Sequence, residues 1–79
     1  MPPPRVVDHL SPEPLYLQLA AILRERIKSG EIARGARLTE KALAQEHAIA
    51  RETVRRALKA LDADGLLRAL PRRGWAVLP

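Results

Sequence analysis

Fifteen residues, Arg51–Gly65 (RETVRRALKALDADG), constrain this chain more than any others. Val54, Ala57, Leu58 and Leu61 recur at i, i+3, i+4 and i+7, so they form one apolar stripe of an α-helix. Glu52, Arg55, Arg56 and Lys59 fall on the opposite side, which is mostly cationic. A shorter helical stretch, Glu40–His47, ends three residues before it. Two helices joined by so short a turn predict a helix-turn-helix, a motif whose second helix can enter a DNA major groove.

The rest of the chain predicts what surrounds that pair. Met1–Ser11 opens with three prolines and has no sustained periodicity; it reads as a flexible, disordered lead-in, with contact to DNA through its one basic residue, Arg5, as the lesser alternative. Residues 12–79 then form the domain. Ser11-Pro12-Glu13-Pro14 suits a helix start, where proline's missing N–H costs nothing. The first helix runs from Leu15 to Ser29, with Leu15, Leu19, Ile22, Leu23 and Ile27 as its apolar stripe and Gly30 at its C-terminal turn. Tyr16 is expected to pack there. Glu31–Arg37 reads as a short loop with Gly35 as its flexible point, and Leu38 as packing under the first helix. Thr39 is a good N-cap for the second helix, and Glu40 suits its positive end. Leu43 is that helix's chief core contact, and His47 at its end suits the negative pole.

The turn Ala48-Ile49-Ala50 is weaker than it could be. A left-handed backbone at Ala48 costs roughly 1–2 kcal/mol, and alanine at the N-cap position Ala50 forgoes roughly 0.5–2 kcal/mol. Beyond Asp64-Gly65, two short apolar segments, Leu66–Leu70 and Trp75–Leu78, flank Pro71-Arg72-Arg73-Gly74 and predict a β-hairpin with a basic tip. The fold expected is mainly α (α+β): a winged helix-turn-helix of three helices followed by a two-stranded β-hairpin wing. Trp75 is expected to anchor the hairpin against the third helix rather than to wedge at DNA.

Composition narrows the function classes. Fourteen Lys and Arg against nine Asp and Glu give a net charge of +5, which suits a polyanionic partner. With no cysteine there is no disulfide or Cys-type zinc site. His9 and His47 are not spaced as a metal pair, and Glu40/Glu46 and Asp62/Asp64 lack a pocket that would make them an acid–base pair. No run of eighteen apolar residues crosses a membrane, and MPPPRVVDHL lacks the apolar core of a signal peptide. These features predict a cytoplasmic protein that is no enzyme and has no cofactor or metal.

The segments Pro14–Ile32, Leu38–Gln45, Arg51–Leu67 and Arg73–Val77 together resemble the N-terminal DNA-binding domain of the GntR family of bacterial regulators. The combination of Pro-Leu-Tyr with a following Gln, the Leu-Ala of the second helix and Arg-x-Thr-Val-Arg-x-Ala-Leu in the third carries the resemblance. It implies that Arg51, Thr53 and Arg55 lie at DNA, with Arg51 the first candidate for reading a base and Arg55 the other, and that Lys41 offers a charge to the backbone. Arg73 and Gly74 match a wing tip that enters the minor groove. Glu52 stands where the family usually has Thr, Ser or Pro; it either accepts from a cytosine amino group or orients Arg55 or Arg56. Arg72 replaces a common glycine, Trp75 a usual Thr, and Ala48 and Ala50 a usual Gly and a usual Ser or Thr. Arg56, Lys59 and Lys41 read equally as phosphate ligands or solvated charges. Thr53 either bonds a phosphate or caps its helix.

The resemblance implies a sequence-specific double-stranded DNA-binding transcription regulator, most simply a repressor. A module this small calls for two copies, a homodimer on a two-fold repeated operator. The family's C-terminal effector domain is not in these 79 residues, which leaves a fragment or a stand-alone protein with no small-molecule effector site of its own. The competing class is a winged-helix protein-interaction or assembly module without sequence-specific DNA binding; an RNA-binding winged helix is a lesser third.

Overall fold

The stripe of the third helix organises the structure, a computed structural model that describes residues 5–79. Six elements follow in order: α1 (Leu15–Lys28), β1 (Arg37–Leu38), α2 (Glu40–His47), α3 (Arg51–Ala63), β2 (Leu67–Leu70) and β3 (Gly74–Val77). Val54, Ala57, Leu58 and Leu61 of α3 are all fully buried. They meet Leu19, Ala20, Ile22 and Leu23 of α1 and, beyond them, Leu67 and Val77 of the strands. With no Phe in the chain, the core is aliphatic apart from Trp75. Each fully buried Leu or Val contributes about 1.5–3 kcal/mol of transfer free energy.

The helices end as their sequences dictate. Gly30 follows α1 with φ +86. Thr39 caps α2, its hydroxyl accepting from the Ala42 N–H. α3 starts at Ala50 without a side-chain cap. Ala48 takes the left-handed conformation, φ 54 and ψ 50, that the short turn demands. Ile49 packs against the core from the corner between α2 and α3.

The wing holds one strand more than the hairpin. β1 pairs antiparallel with β3, giving the order β1-β3-β2. The Gly35 N–H donates to the Val77 carbonyl, and the Val77 N–H donates to the Ala36 carbonyl. The expected loop is therefore pinned at Gly35 rather than flexible there. Leu38 stands beside Trp75 in the sheet, not simply under α1. Gly74 opens β3 with φ +89, where a Cβ would lie 2.5 Å from the Leu38 carbonyl oxygen. Only glycine lets β1 approach the start of β3 so closely.

The N-terminal residues differ from a flexible arm. Met1–Pro4 lie outside the described residues, but Arg5–Ser11 are laid on the domain. Val7 is buried with the core. Its N–H donates to His47 Nδ1 at 3.3 Å, and His9 Nε2–H donates to the His47 carbonyl at 3.0 Å. Gln18 of α1 accepts from the Asp8 N–H and donates to the Asp8 carbonyl. Arg5 makes a two-pronged ion pair with Glu31. No helix among the described residues is long and apolar enough to cross a membrane.

His47 thus has a different role from the one expected. Its side chain is buried, and burial pushes its pKa below the ordinary value; Glu46 opposes the shift and Arg26 adds to it. The folded domain holds a neutral imidazole that serves Val7 as an acceptor, not a charge at a helix end. The unfolded chain takes up this proton as the pH falls through about 6.5, and the folded chain only at lower pH. Stability should therefore be greatest above that value. The thermal midpoint should drop between about pH 7.5 and 5.5, and His47→Asn, which keeps an acceptor near the Nδ1 position, should remove most of that drop. At the turn, Ala48→Gly should raise stability by roughly 0.5–1 kcal/mol, relief of left-handed strain less glycine's entropy cost, read from the denaturant midpoint.

Candidate nucleic-acid interface

Three separate elements place cations around one open groove. Lys41 comes from the first turn of α2, Arg51 from the first residue of α3, and Arg72 and Arg73 from the turn between β2 and β3. Arg37, Thr39, Leu70 and Gly74 complete most of its wall, and its volume is about 600 Å³. Lys41, Arg37, Arg72 and Arg73 are exposed, and among the described residues none has a carboxylate within ion-pair distance. Arg72 has a positive φ of 60. That conformation suits the glycine usual there, and it projects a guanidinium from the turn instead.

One carboxylate sits among these charges. Glu40, at the start of α2, accepts from Arg55 Nη2 at 3.0 Å and from Arg55 Nε at 3.2 Å. It also accepts from Trp75 Nε1–H at 3.3 Å, and Arg51 Nη2 lies 3.7 Å away. The bond from Arg55 holds the Glu40 carboxyl below the usual carboxylate range, against the opposing effect of burial. Trp75 is therefore anchored to α2 through its indole nitrogen, as well as by burial in the core. Glu40 also raises the Arg55 pKa, so the pair stays ionised at any ordinary pH.

The other expected residues divide. Both Glu52 oxygens lie 3.3 Å from Arg55 Nη1; of the arrangements open to Glu52, this structure has the one that orients Arg55. Arg55 is half-exposed between two carboxylates and faces the groove only through Glu40. Thr53 is partly buried and does not line the groove. Arg56 turns away from it: its guanidinium lies 4.0 Å from the centre of the Tyr16 ring, a cation–π contact joining α3 to α1. The reading of the sequence missed Arg37. Its only sequence signal is a lone cation before the apolar Leu38, and only the pairing of β1 with β3 brings it to the groove.

The chain is similar to known proteins in sequence and in fold. The sequence pattern of the bacterial regulatory proteins of the gntR family matches residues 15–77. The chain is 36% identical over 66 residues to the HTH-type transcriptional regulator YdhC of Bacillus subtilis, a match covering 84% of this chain and 30% of that one. It is 39% identical over 72 residues to the HTH-type transcriptional repressor NagR of the same organism, covering 90% and 30%. The crystal structure of the AraR DNA-binding domain in complex with operator ORX1 superposes with a TM-score of 0.81 at 30% identity, covering 91% of this chain and 93% of that one. The chain thus spans about 30% of the length of these two Bacillus relatives.

Removing the carboxylate tests how the groove is built. Glu40→Gln should lower stability by about 1–3 kcal/mol, the usual cost of losing charged hydrogen bonds. It should also free Arg55 and Arg51, so a chemical-shift map of the variant should show changes at Trp75 and along the first turn of α3. Changes confined to α2 would contradict this linkage.

Proposed function

Because the chain belongs to the gntR family of bacterial regulatory proteins, we propose that it is a sequence-specific double-stranded DNA-binding transcription regulator acting as a repressor. α3 enters the major groove and the turn Arg72–Gly74 enters the adjacent minor groove. The observation that carries this reading is the groove itself: Lys41 of α2, Arg51 of α3 and Arg72 and Arg73 of the β2–β3 turn line one open concavity. Phosphate contacts supply affinity and base-edge contacts supply preference. Arg51 is the base reader, since its planar fork matches the O6/N7 pair of guanine and such a pair discriminates by about 1–3 kcal/mol. It is well exposed at the head of α3 and only 3.7 Å from Glu40, so it can leave that carboxylate for a base. Arg55, held from two sides, is the more rigid neighbour. Lys41, Arg72 and Arg73 meet phosphates or the minor-groove floor, and Thr53 serves α3 rather than DNA. Arg56 braces α3 on α1.

NagR is a repressor by name, and AraR's domain is held on an operator; both support the repressor reading. The partner is a two-fold repeated operator bound by two copies of the domain, since one small module covers limited DNA surface. The site of action is the nucleoid, in the cytoplasm.

Selection of bound duplexes from a random pool at about physiological salt, where non-specific binding is weak, tests the proposal. A recovered two-fold motif supports it. Failure to enrich any sequence sinks it in favour of a protein-assembly module. On the recovered duplex, Arg51→Ala should reduce preference over random DNA by about 10- to 100-fold, while Arg73→Ala should weaken both duplexes alike. Equal effects of the two substitutions on both duplexes would remove the roles assigned here.

A further inference from the structure

The cations of the wing are not confined to its tip. Residues 65–79 carry Arg68, Arg72 and Arg73 with no Asp or Glu, and residues 32–39 carry Arg34 and Arg37 with none. These two stretches supply all three strands. In β3, Trp75 and Val77 are buried, so their side chains point into the core. Ala76, between them, faces the other way. Its register partners are Arg37 on β1 and Arg68 on β2. Cross-strand partners share a face, so Arg37, Ala76 and Arg68 form one row on the outward side of the sheet. Adjacent strands are about 4.8 Å apart, which puts the two arginines about 10 Å apart at their Cα atoms, across a small alanine. Both are exposed, and neither has a carboxylate within ion-pair distance among the described residues.

Like charges on one sheet face are unfavourable for the isolated domain. A polyanion lying across the row removes that repulsion. Arg37 also lines the groove with Arg51, Arg72 and Arg73, so the row continues the candidate interface rather than forming a separate patch. We propose that Arg37 and Arg68, flanking Ala76, form a phosphate-binding strip that lies along the sugar-phosphate backbone of the duplex beside the groove entered by the wing tip. The wing then meets DNA with a face as well as a point. The strip adds affinity without sequence preference, because phosphates carry no sequence. This inference rests on the DNA-binding reading above.

The test is the salt dependence of duplex binding by the full chain, measured on the duplex recovered by selection and on a random duplex of the same length. Each phosphate contact contributes about −0.9 to the slope of log K against log salt. Arg37→Ala with Arg68→Ala should therefore flatten the slope by about 1.8 and weaken both duplexes by roughly tenfold or more at 0.15 M salt. Arg37→Lys with Arg68→Lys should keep the slope. Ala76→Glu, which sets a carboxylate between two intact arginines, should flatten it too. Lys28→Ala, at the far end of α1, should change nothing. A double-alanine variant and an Ala76→Glu variant that both bind with the wild-type slope would overturn the strip and leave the DNA-binding reading standing. A wild-type chain with no salt-dependent duplex binding would overturn both.

Discussion

The arrangement of the interface depends on one buried-side carboxylate. Glu40 sits at the first turn of α2, accepts two bonds from Arg55 of α3 and one from Trp75 of β3, and lies near Arg51. α2, α3 and β3 are thereby tied to one point. Charge-assisted bonds of this kind are about twice as strong as neutral ones. They matter less here for total stability than for geometry, since the aliphatic core already holds α1 to α3. The core holds the domain together; Glu40 ties α2 to α3 and to β3.

This division shows in how the cations are used. Arg5, Arg24, Arg26 and Arg55 are tied to carboxylates within the domain, and Arg56 to an aromatic ring. Most of these pairs are exposed and contribute little stability each; what they do is hold segments in register, as Arg24 does for Asp64 at the end of α3. The strands and the wing turn hold no acidic residue. Among the described residues their arginines make no ion pair within the domain.

Local periodicity made the helices legible. α3 reads directly from four apolar positions, and α1 from five, because a helical stripe is a property of neighbouring residues. The weak turn at Ala48 was legible for the same reason. What escaped were pairings between distant residues. β1 has two residues and no pattern of its own; it exists because Ala36 and Leu38 find β3. Val7 joins the core only because His47 offers it an acceptor. Arg56 looked like a member of the cationic face until Tyr16, forty residues earlier, supplied a ring to cover. Arg72 and Arg73 are legible as the basic tip of a hairpin, whereas Arg51, Lys41 and Gly74 stand out only through the resemblance to a family, since an arginine on a helix has no local signature of what it touches.

The strap Arg5–Ser11 carries a consequence of its own. The family pattern begins at residue 15, yet the core begins at Val7. The stretch that defines kinship and the stretch that folds as a unit are not the same. A chain started at Leu15 would hold the sequence of every helix and strand and still lack Val7 from the core. Through Val7 and His9, whatever happens upstream reaches the backbone of His47, one residue before the strained Ala48. The lead-in is thus bonded to the end of α2, next to the turn that leads into α3, and among the described residues it hydrogen-bonds to none that line the groove.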